Sequence, residues 1–351
     1  SKEIRSSKNW EFQEEAKMTV TVLGTGQWGT SLAQVLIDAG NDVLIWGRNS
    51  QIVEEINQRH TNERSLPNIE LPSSLRATDD IDEAFAEPGA ILLALPAQSL
   101  RENLVNWRAK FPRYVPVISS IKGMELKTHM RVSEVISDVL EIPSGQISVL
   151  TGPNLAREVV MRQPVGAVAA AESQELADMT AHLFSAPYFR AYTSLDVIGC
   201  ELAGAAKNVI ALAVGMAIGM GFGENTQALV ITRGLSELTR LGMARGAKPL
   251  TFVGLAGVGD LLATCGSPLS RNRSFGEALG RFGSMEQAMA SVSSTVEGVA
   301  TANSIVELAH LAGIEVPIME SVSEVVANTI TPTEAMIQLM RIDTGAEIEE
   351  R

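Results

Sequence analysis

The stretch Thr19-Val-Thr-Val-Leu23, followed at once by Gly24-Thr-Gly26-Gln-Trp-Gly29, decides how the first half of the chain is read. A short β-branched and apolar run that stops at glycine reads as a strand, and Thr30 to Ala39 beyond it has helical spacing. In such a strand–turn–helix unit the three glycines have separate uses. Gly24 permits the tight turn, Gly26 lets the backbone approach a pyrophosphate, and Gly29 lets helix and strand pack closely. The helix N-terminus then offers N–H groups and a positive dipole end to phosphate. A purely structural glycine turn has the same letters. The dinucleotide reading is favoured by the position at the start of the folded region and by a second strand about 20 residues on.

That second strand, Val43-Leu-Ile-Trp46, leads into Gly47-Arg48-Asn49. An NAD enzyme usually places a carboxylate here to hold the ribose 2′-hydroxyl, and none is present. An arginine fork suits a 2′-phosphate, which points to NADPH with NADH as the lesser cofactor. Arg48 also admits the plainer reading of a surface charge.

Further apolar runs follow at Ala90-Ile-Leu-Leu-Ala-Leu95, Val115-Pro-Val-Ile-Ser119, Ile147-Ser-Val-Leu150, Val165-Gly-Ala-Val-Ala169 and Phe189-Arg-Ala-Tyr192. Near-continuous apolar strands separated by amphipathic stretches such as Met130 to Leu140 indicate a doubly wound, mostly parallel α/β sheet covered on both faces. After Thr193 the strand signals stop. Leu195 to Gly223, Gln227 to Leu241, Phe275 to Leu279, Ala300 to Ala312 and Ser321 to Val326 are helical in pattern. The expected fold is therefore α/β plus all-α: a Rossmann-like domain over residues 18–193 and a helical substrate domain over 194–341. Tails are expected at 1–17 and 342–351. A short junction between two such halves favours a shared ligand cleft.

Composition narrows the function. The 351 residues carry 28 basic and 41 acidic side chains, a net charge of −13. An acidic surface repels nucleic acid and anionic lipid, so neither is expected as a partner, and any anionic substrate needs a local cluster of Lys and Arg. Cys200 and Cys265 are too few for a disulfide framework or a zinc site; buried reduced thiols in a reducing compartment are expected. No metal is expected. The apolar stretch Val209 to Gly223 falls short of a bilayer's thickness and reads as a core helix, and residues 1–17 lack the apolar region of a secretory signal.

Histidine, the usual acid–base group, offers little: His60, His129, His182 and His310 have no partner at ligand-like spacing. Lysine is the better candidate. Ser119-Ser-Ile-Lys122-Gly123 follows a strand end, where doubly wound sheets place ligands. Gly204-Ala-Ala-Lys207-Asn208 sets one lysine in an otherwise apolar helix, where an ammonium must be paired, useful or snorkelling to the surface. Ser270-Arg271-Asn272 follows Gly257-Val-Gly259-Asp260-Leu-Leu-Ala-Thr264 and offers a guanidinium and an amide together, as a phosphate anchor or a solvated loop.

Taken together, these segments resemble the NAD(P)-dependent glycerol-3-phosphate dehydrogenases of the biosynthetic, bacterial type. The likeness covers roughly residues 18–340. It is carried by Gly24-Thr-Gly-Gln-Trp-Gly-Thr30, Ile121-Lys-Gly123, Gly152-Pro-Asn-Leu-Ala156, Ala206-Lys-Asn208, Ile231-Thr-Arg-Gly234, Gly257-Val-Gly-Asp260, Ser270-Arg-Asn-Arg273 and Val296-Glu-Gly298. The resemblance implies interconversion of dihydroxyacetone phosphate and sn-glycerol 3-phosphate, by a cytoplasmic homodimer or, alternatively, a plastid-stroma protein.

It also implies roles residue by residue. Lys207 matches the general acid/base, Lys122 a second substrate-facing lysine, and Asp260 and Thr264 the groups that hold lysine and substrate. Arg271 and Asn272, with Ser270 beside them, match the substrate-phosphate anchors. Gly152, Asn154 and Ala156 match a loop touching substrate and cofactor. Gln27, Trp28, Arg48 and Glu297 match dinucleotide contacts, with Lys122 and Arg271 also bordering the cofactor and Thr295 at its edge. A 6-phosphogluconate or 3-hydroxyisobutyrate type of dehydrogenase pairs a similar fold with a helical Lys–Asn, but Ser270-Arg-Asn272 and Lys122 argue against it. A non-catalytic dinucleotide sensor would be expected to have lost the lysine or the anchor.

Overall fold

In the computed structural model the described residues are 17–291 and 296–341. The tails expected at 342–351 and over most of 1–17, and Thr295, lie outside them. The first half alternates strands and helices: β1 (Thr19–Leu23), α1 (Gln27–Asp38), β2 (Asp42–Trp46), α2 (Ser50–Arg59), β3 (Arg76–Thr78), α3 (Ile81–Ala84), β4 (Ala90–Leu93) and α4 (Ala97–Trp107). It continues with β5 (Val117–Ser119), α5 (Val132–Leu140), β6 (Ile147–Thr151), α6 (Ala156–Val160), β7 (Val165–Ala171), α7 (Gln174–Leu183) and β8 (Phe189–Ser194). The strands form one sheet in the order β3-β2-β1-β4-β5-β6-β7-β8. All pairs are parallel except β6–β7, so β7 and β8 run against the rest.

Burial on both faces explains the apolar runs. In β4, Ala90 and Leu92 pack with α1 and Val20 and Val22, whereas Ile91 and Leu93 pack on the other face with Leu100, Leu104 and Ile136. From β1 the chain winds outward to β2 and β3, then crosses back to β4 on the other side of β1. That reversal opens a crevice at the carboxyl ends of β1 and β4, the usual ligand position in such sheets. Two kinds of element escaped the sequence reading. β3 is a three-residue edge strand that begins with exposed Arg76, and α2 has only two buried residues, so its apolar stripe is faint.

The second half is helical: α8 (Val197–Gly219), α9 (Glu224–Ala244), α10 (Pro249–Phe252), a π-helical turn (Leu255–Gly259), α11 (Asp260–Gly266), α12 (Arg271–Phe282), α13 (Met285–Ala290), α14 (Glu297–Ala312), α15 (Pro317–Val326) and α16 (Pro332–Leu339). α8 is long and apolar enough to cross a membrane by length and composition, but it is the axis of this half and is almost wholly buried. A helix surrounded on every side by protein needs apolar residues all round, which is why its sequence shows little amphipathic pattern.

α8 and α12 touch backbone to backbone. A side chain at Gly276 would stand 2.3 Å from the Leu212 carbonyl oxygen, and one at Gly215 would stand 2.1 Å from the Arg273 carbonyl oxygen. This crossing brings the first turn of α12, with Arg271 and Asn272, against the middle of α8. Gly276→Ala is therefore expected to lower stability by about 1–3 kcal/mol through overpacking. Chemical denaturation with an unchanged midpoint would show that the helices are free to part.

Candidate active site

The glycine loop sits at the crevice. Gly24 adopts φ +127°, and a Cβ there would meet the Ala94 carbonyl oxygen at 2.5 Å, so the turn requires glycine both for its dihedral angle and for its closeness to β4. At Gly29 a Cβ would stand 2.0 Å from the Gly24 carbonyl oxygen. Gly26, by contrast, faces open space. It N-caps α1 without any side-chain cap, which leaves first-turn N–H groups free to meet a phosphate. Trp28 adds a buried indole N–H that lacks a partner. These features fit a dinucleotide. Arg48 is exposed at the end of β2, next to Gly47, which abuts the Thr25 side chain of the same loop.

The loop after β6 closes over α1. Ser31 Oγ lies 2.9 Å from the Gln27 carbonyl oxygen and 3.1 Å from that of Ala156, while Gln34 Nε2 donates to the Val160 carbonyl at 3.0 Å. Gly152 takes φ +123° at the head of this loop. Both amide atoms of Asn154 are buried with no partner, as is Thr151 Oγ1. Buried polar groups seldom stay unpaired, so this cluster is arranged to receive a polar ligand.

The two lysines meet on one carboxylate. Asp260, 1% exposed, accepts from Lys122 Nζ on Oδ2 at 2.6 Å and from Lys207 Nζ on Oδ1 at 2.5 Å. Lys122 also donates to the Gly152 carbonyl at 2.8 Å. Lys207 donates to Thr264 Oγ1 at 2.7 Å, and that hydroxyl in turn donates to the Asp260 carbonyl at 2.6 Å. Local structure explains each placement. Lys122 lies just beyond β5 and Lys207 on α8, while the π-helical turn aims Asp260 and Thr264, on α11, back at α8. Two ammoniums on one carboxylate leave one net positive charge in a buried place, suited to an anion. Desolvation pushes the Lys122 amine down to about 8, Asp260 opposes this, and Lys207 adds to it.

Next to Lys207, a relay of amides joins three helices. Asn208 Oδ1 accepts from Asn272 Nδ2 at 2.8 Å, and Asn272 Oδ1 accepts from the Gly298 N–H at 2.8 Å. Ser270 is the N-cap of α12, its hydroxyl accepting from the Arg273 N–H at 3.3 Å. Arg271 is the first residue of α12 and is exposed. Glu297 opens α14; burial pushes its carboxyl up, while Arg271 and the Ala97 N–H at the start of α4 pull it down. α4 has no side-chain cap of its own, and the Glu297 carboxyl from the helical half faces its first N–H.

Lys122, Lys207, Asp260 and Thr264 thus form one contact cluster, with Gly152 attached through its carbonyl. Asn272 has its amide engaged with Asn208, next to Lys207 on α8, and with Gly298 on α14. Two groups were missing from the sequence-derived set. Asn208 is a link in the relay, and its signal was a second polar residue in an apolar helix. Thr151 looks like the last residue of an ordinary strand, and no sequence signal marks its unpaired hydroxyl. His129 and His310 pair with Glu307 and Glu320, apart from the lysines. Among the described residues, no group of three His, Cys, Asp or Glu side chains could hold a metal ion.

The Lys122 amine is charged below its lowered value of about 8 and loses charge as pH rises through it. Affinity for a phosphorylated substrate should therefore weaken above pH ~8, well before an ordinary lysine would titrate near 10.4. A KM for such a substrate that stays flat to pH ~10 would show that Lys122 does not titrate there.

Two family profiles match the chain. That of the NAD-dependent glycerol-3-phosphate dehydrogenase N-terminus covers residues 19–177, and that of its C-terminus covers 196–337. Among curated proteins, a glycerol-3-phosphate dehydrogenase [NAD(P)+] of Thermobifida fusca is 50% identical over 322 residues, 92% of this chain and 96% of the relative. A crystal structure of a glycerol-3-phosphate dehydrogenase from Coxiella burnetii superposes with a TM-score of 0.87 at 32% identity, covering 93% of this chain and 99% of that one. A yeast glycerol-3-phosphate dehydrogenase structure gives 0.79 at 27% identity, with 92% and 99% covered. With both profiles and a relative at half identity spanning nearly its full length, the chain belongs to the NAD-dependent glycerol-3-phosphate dehydrogenase family.

Proposed function

We propose that this protein reduces dihydroxyacetone phosphate to sn-glycerol 3-phosphate, reversibly, with a nicotinamide dinucleotide. The observation that carries the reading is the Lys122–Asp260–Lys207 cluster at the mouth of the dinucleotide crevice. Its net positive charge suits a dianionic phosphate in a protein of net charge −13. When bound, the dinucleotide supplies the hydride. The chain's own groups do the rest. The Lys207 ammonium, oriented by Asp260 and Thr264, donates its proton to the ketone oxygen as negative charge develops there. Lys122 holds the same end of the substrate, and Arg271 at the start of α12 takes the phosphate, with Ser270 and Asn272 shaping the turn. Asn154 and Gly152 border substrate and cofactor, and Gln27, Trp28, Ala156 and Glu297 border the cofactor.

The cofactor we assign as first choice is NADPH. Support comes from Arg48 and from the absence of a carboxylate at the end of β2. A reducing compartment, the cytoplasm, suits the two buried free thiols, and a homodimer is the assembly we assign.

Absorbance at 340 nm, followed with dihydroxyacetone phosphate and each reduced cofactor in turn, tests the reaction. Rapid loss is expected; no loss from folded protein that binds NADPH would discard the substrate. Arg48→Ala should bring the NADPH and NADH rates closer together, and an unaltered ratio would remove Arg48 from cofactor choice. Lys207→Ala should reduce turnover by at least 10²-fold, the scale of a lost general acid, with NADPH affinity unchanged. Near-normal turnover in that variant would reassign the proton donor.

A further inference from the structure

Glu201 is a buried carboxylate on α8, six residues before Lys207 and 6% exposed. Its Oε1 accepts from the Ser133 N–H at 2.7 Å, and its Oε2 accepts from the Ser133 hydroxyl and from Arg131 Nη1, each at 2.6 Å. Arg131 is held in turn by Glu134, which also accepts from the Arg131 N–H at 2.8 Å. Asp196 and Cys200 stand at the start of α8, and His129, Asp138, Arg245 and Lys248 line the clefts beside Arg131 and Glu134. Burial pushes the Glu201 carboxyl up and Arg131 pulls it down. A buried ion pair is weak evidence for stability, because an apolar pair of like volume often serves as well. Its better-attested use is to fix a register.

The two segments tied by Glu201 are the two that carry the lysines. Lys122 opens a loop that closes on itself through a bridge between Met124 and Arg131 and through the Glu125 N–H to the Met130 carbonyl at 3.0 Å. One end of that loop bears Lys122 and the other bears Arg131 and Ser133. Met124, 1% exposed, packs into the core around α8. Loop and helix therefore meet at the Glu201 clasp, at Met124 and at the carboxylate of Asp260.

We infer that Glu201 is a positioning residue: by clasping α8 to the base of the Lys122 loop, it sets how Lys122 and Lys207 converge on Asp260. The inference rests on the reading of these lysines as the reactive pair. Glu201 touches neither substrate nor cofactor, so it acts only through the geometry it imposes.

Glu201→Ala and Glu201→Gln, compared with the full-length wild type, test it. In the alanine variant NADPH affinity should change much less than turnover, because the glycine loop that takes the dinucleotide phosphates lies on the sheet half, away from the clasp. Turnover per NADPH-binding site should fall roughly 10- to 100-fold, the cost of misplacing reacting groups by about 1 Å. Glutamine keeps an acceptor for the Ser133 N–H and should restore most of the rate. Ser133→Ala, a smaller lesion, should shift turnover the same way and serves if Glu201→Ala does not fold. A readout that needs no turnover is pH-dependent labelling of the Lys122 amine, read by mass spectrometry. Its midpoint should rise in Glu201→Ala as the lysine loosens into solvent. Unchanged turnover per site with an unchanged labelling midpoint, whatever happens to Tm, would overturn the inference and leave Glu201 a plain stabilising contact. If the wild type fails to reduce dihydroxyacetone phosphate, the substrate reading falls, and the labelling midpoint alone decides for or against the positioning role.

Discussion

The structure depends on one shared carboxylate. Asp260 is buried, and two ammoniums from different parts of the chain end on its two oxygens. Neither lysine would be tolerated at such depth alone, because an unpaired buried charge is costly. Asp260 makes both possible and, by holding only one negative charge, leaves the cluster cationic. The same contact joins the halves of the molecule, since Lys122 follows a strand of the sheet while Lys207 and Asp260 belong to the helices.

The rest of the fold brings these three residues to one point. The parallel strands end together, so the loops after β1, β5 and β6 emerge on one edge, carrying the glycine loop, Lys122 and the Gly152–Ala156 segment. α8 passes beneath that edge. Its contact with α12 through glycines allows backbones to approach far more closely than side chains would, which carries Asn272 to Asn208. Glu297, at the start of α14, faces the first N–H of α4 across the same cleft.

Much of this was legible beforehand. The strands were readable because burial on both faces demands continuous apolar runs, and the glycine loop because a sharp turn and a close packing contact each exclude a Cβ. Lys207 was readable for the opposite reason: a charge in an apolar helix needs an explanation. β3 and α2 were not, as an exposed edge strand and a shallowly seated helix carry little apolar signal. Thr151 was invisible because nothing in a sequence tells whether a hydroxyl finds a partner.

By itself the sequence determined the α/β-then-helical order, the glycine loop after the first strand, the net negative charge, and the family to which those motifs belong. Only the tertiary structure decided that Lys122 and Lys207 share Asp260, that Asn208 links Asn272 to the helix carrying Lys207, and that Glu201 clasps the Lys122 loop. These contacts join residues 53 to 138 positions apart in the case of Asp260, and 68 to 70 in the case of Glu201. Local propensity and periodicity reach only a few residues along the chain. Which distant side chains meet is settled by how the sheet edge and the helix crossing pack, since close packing leaves few arrangements in which every buried charge keeps a partner.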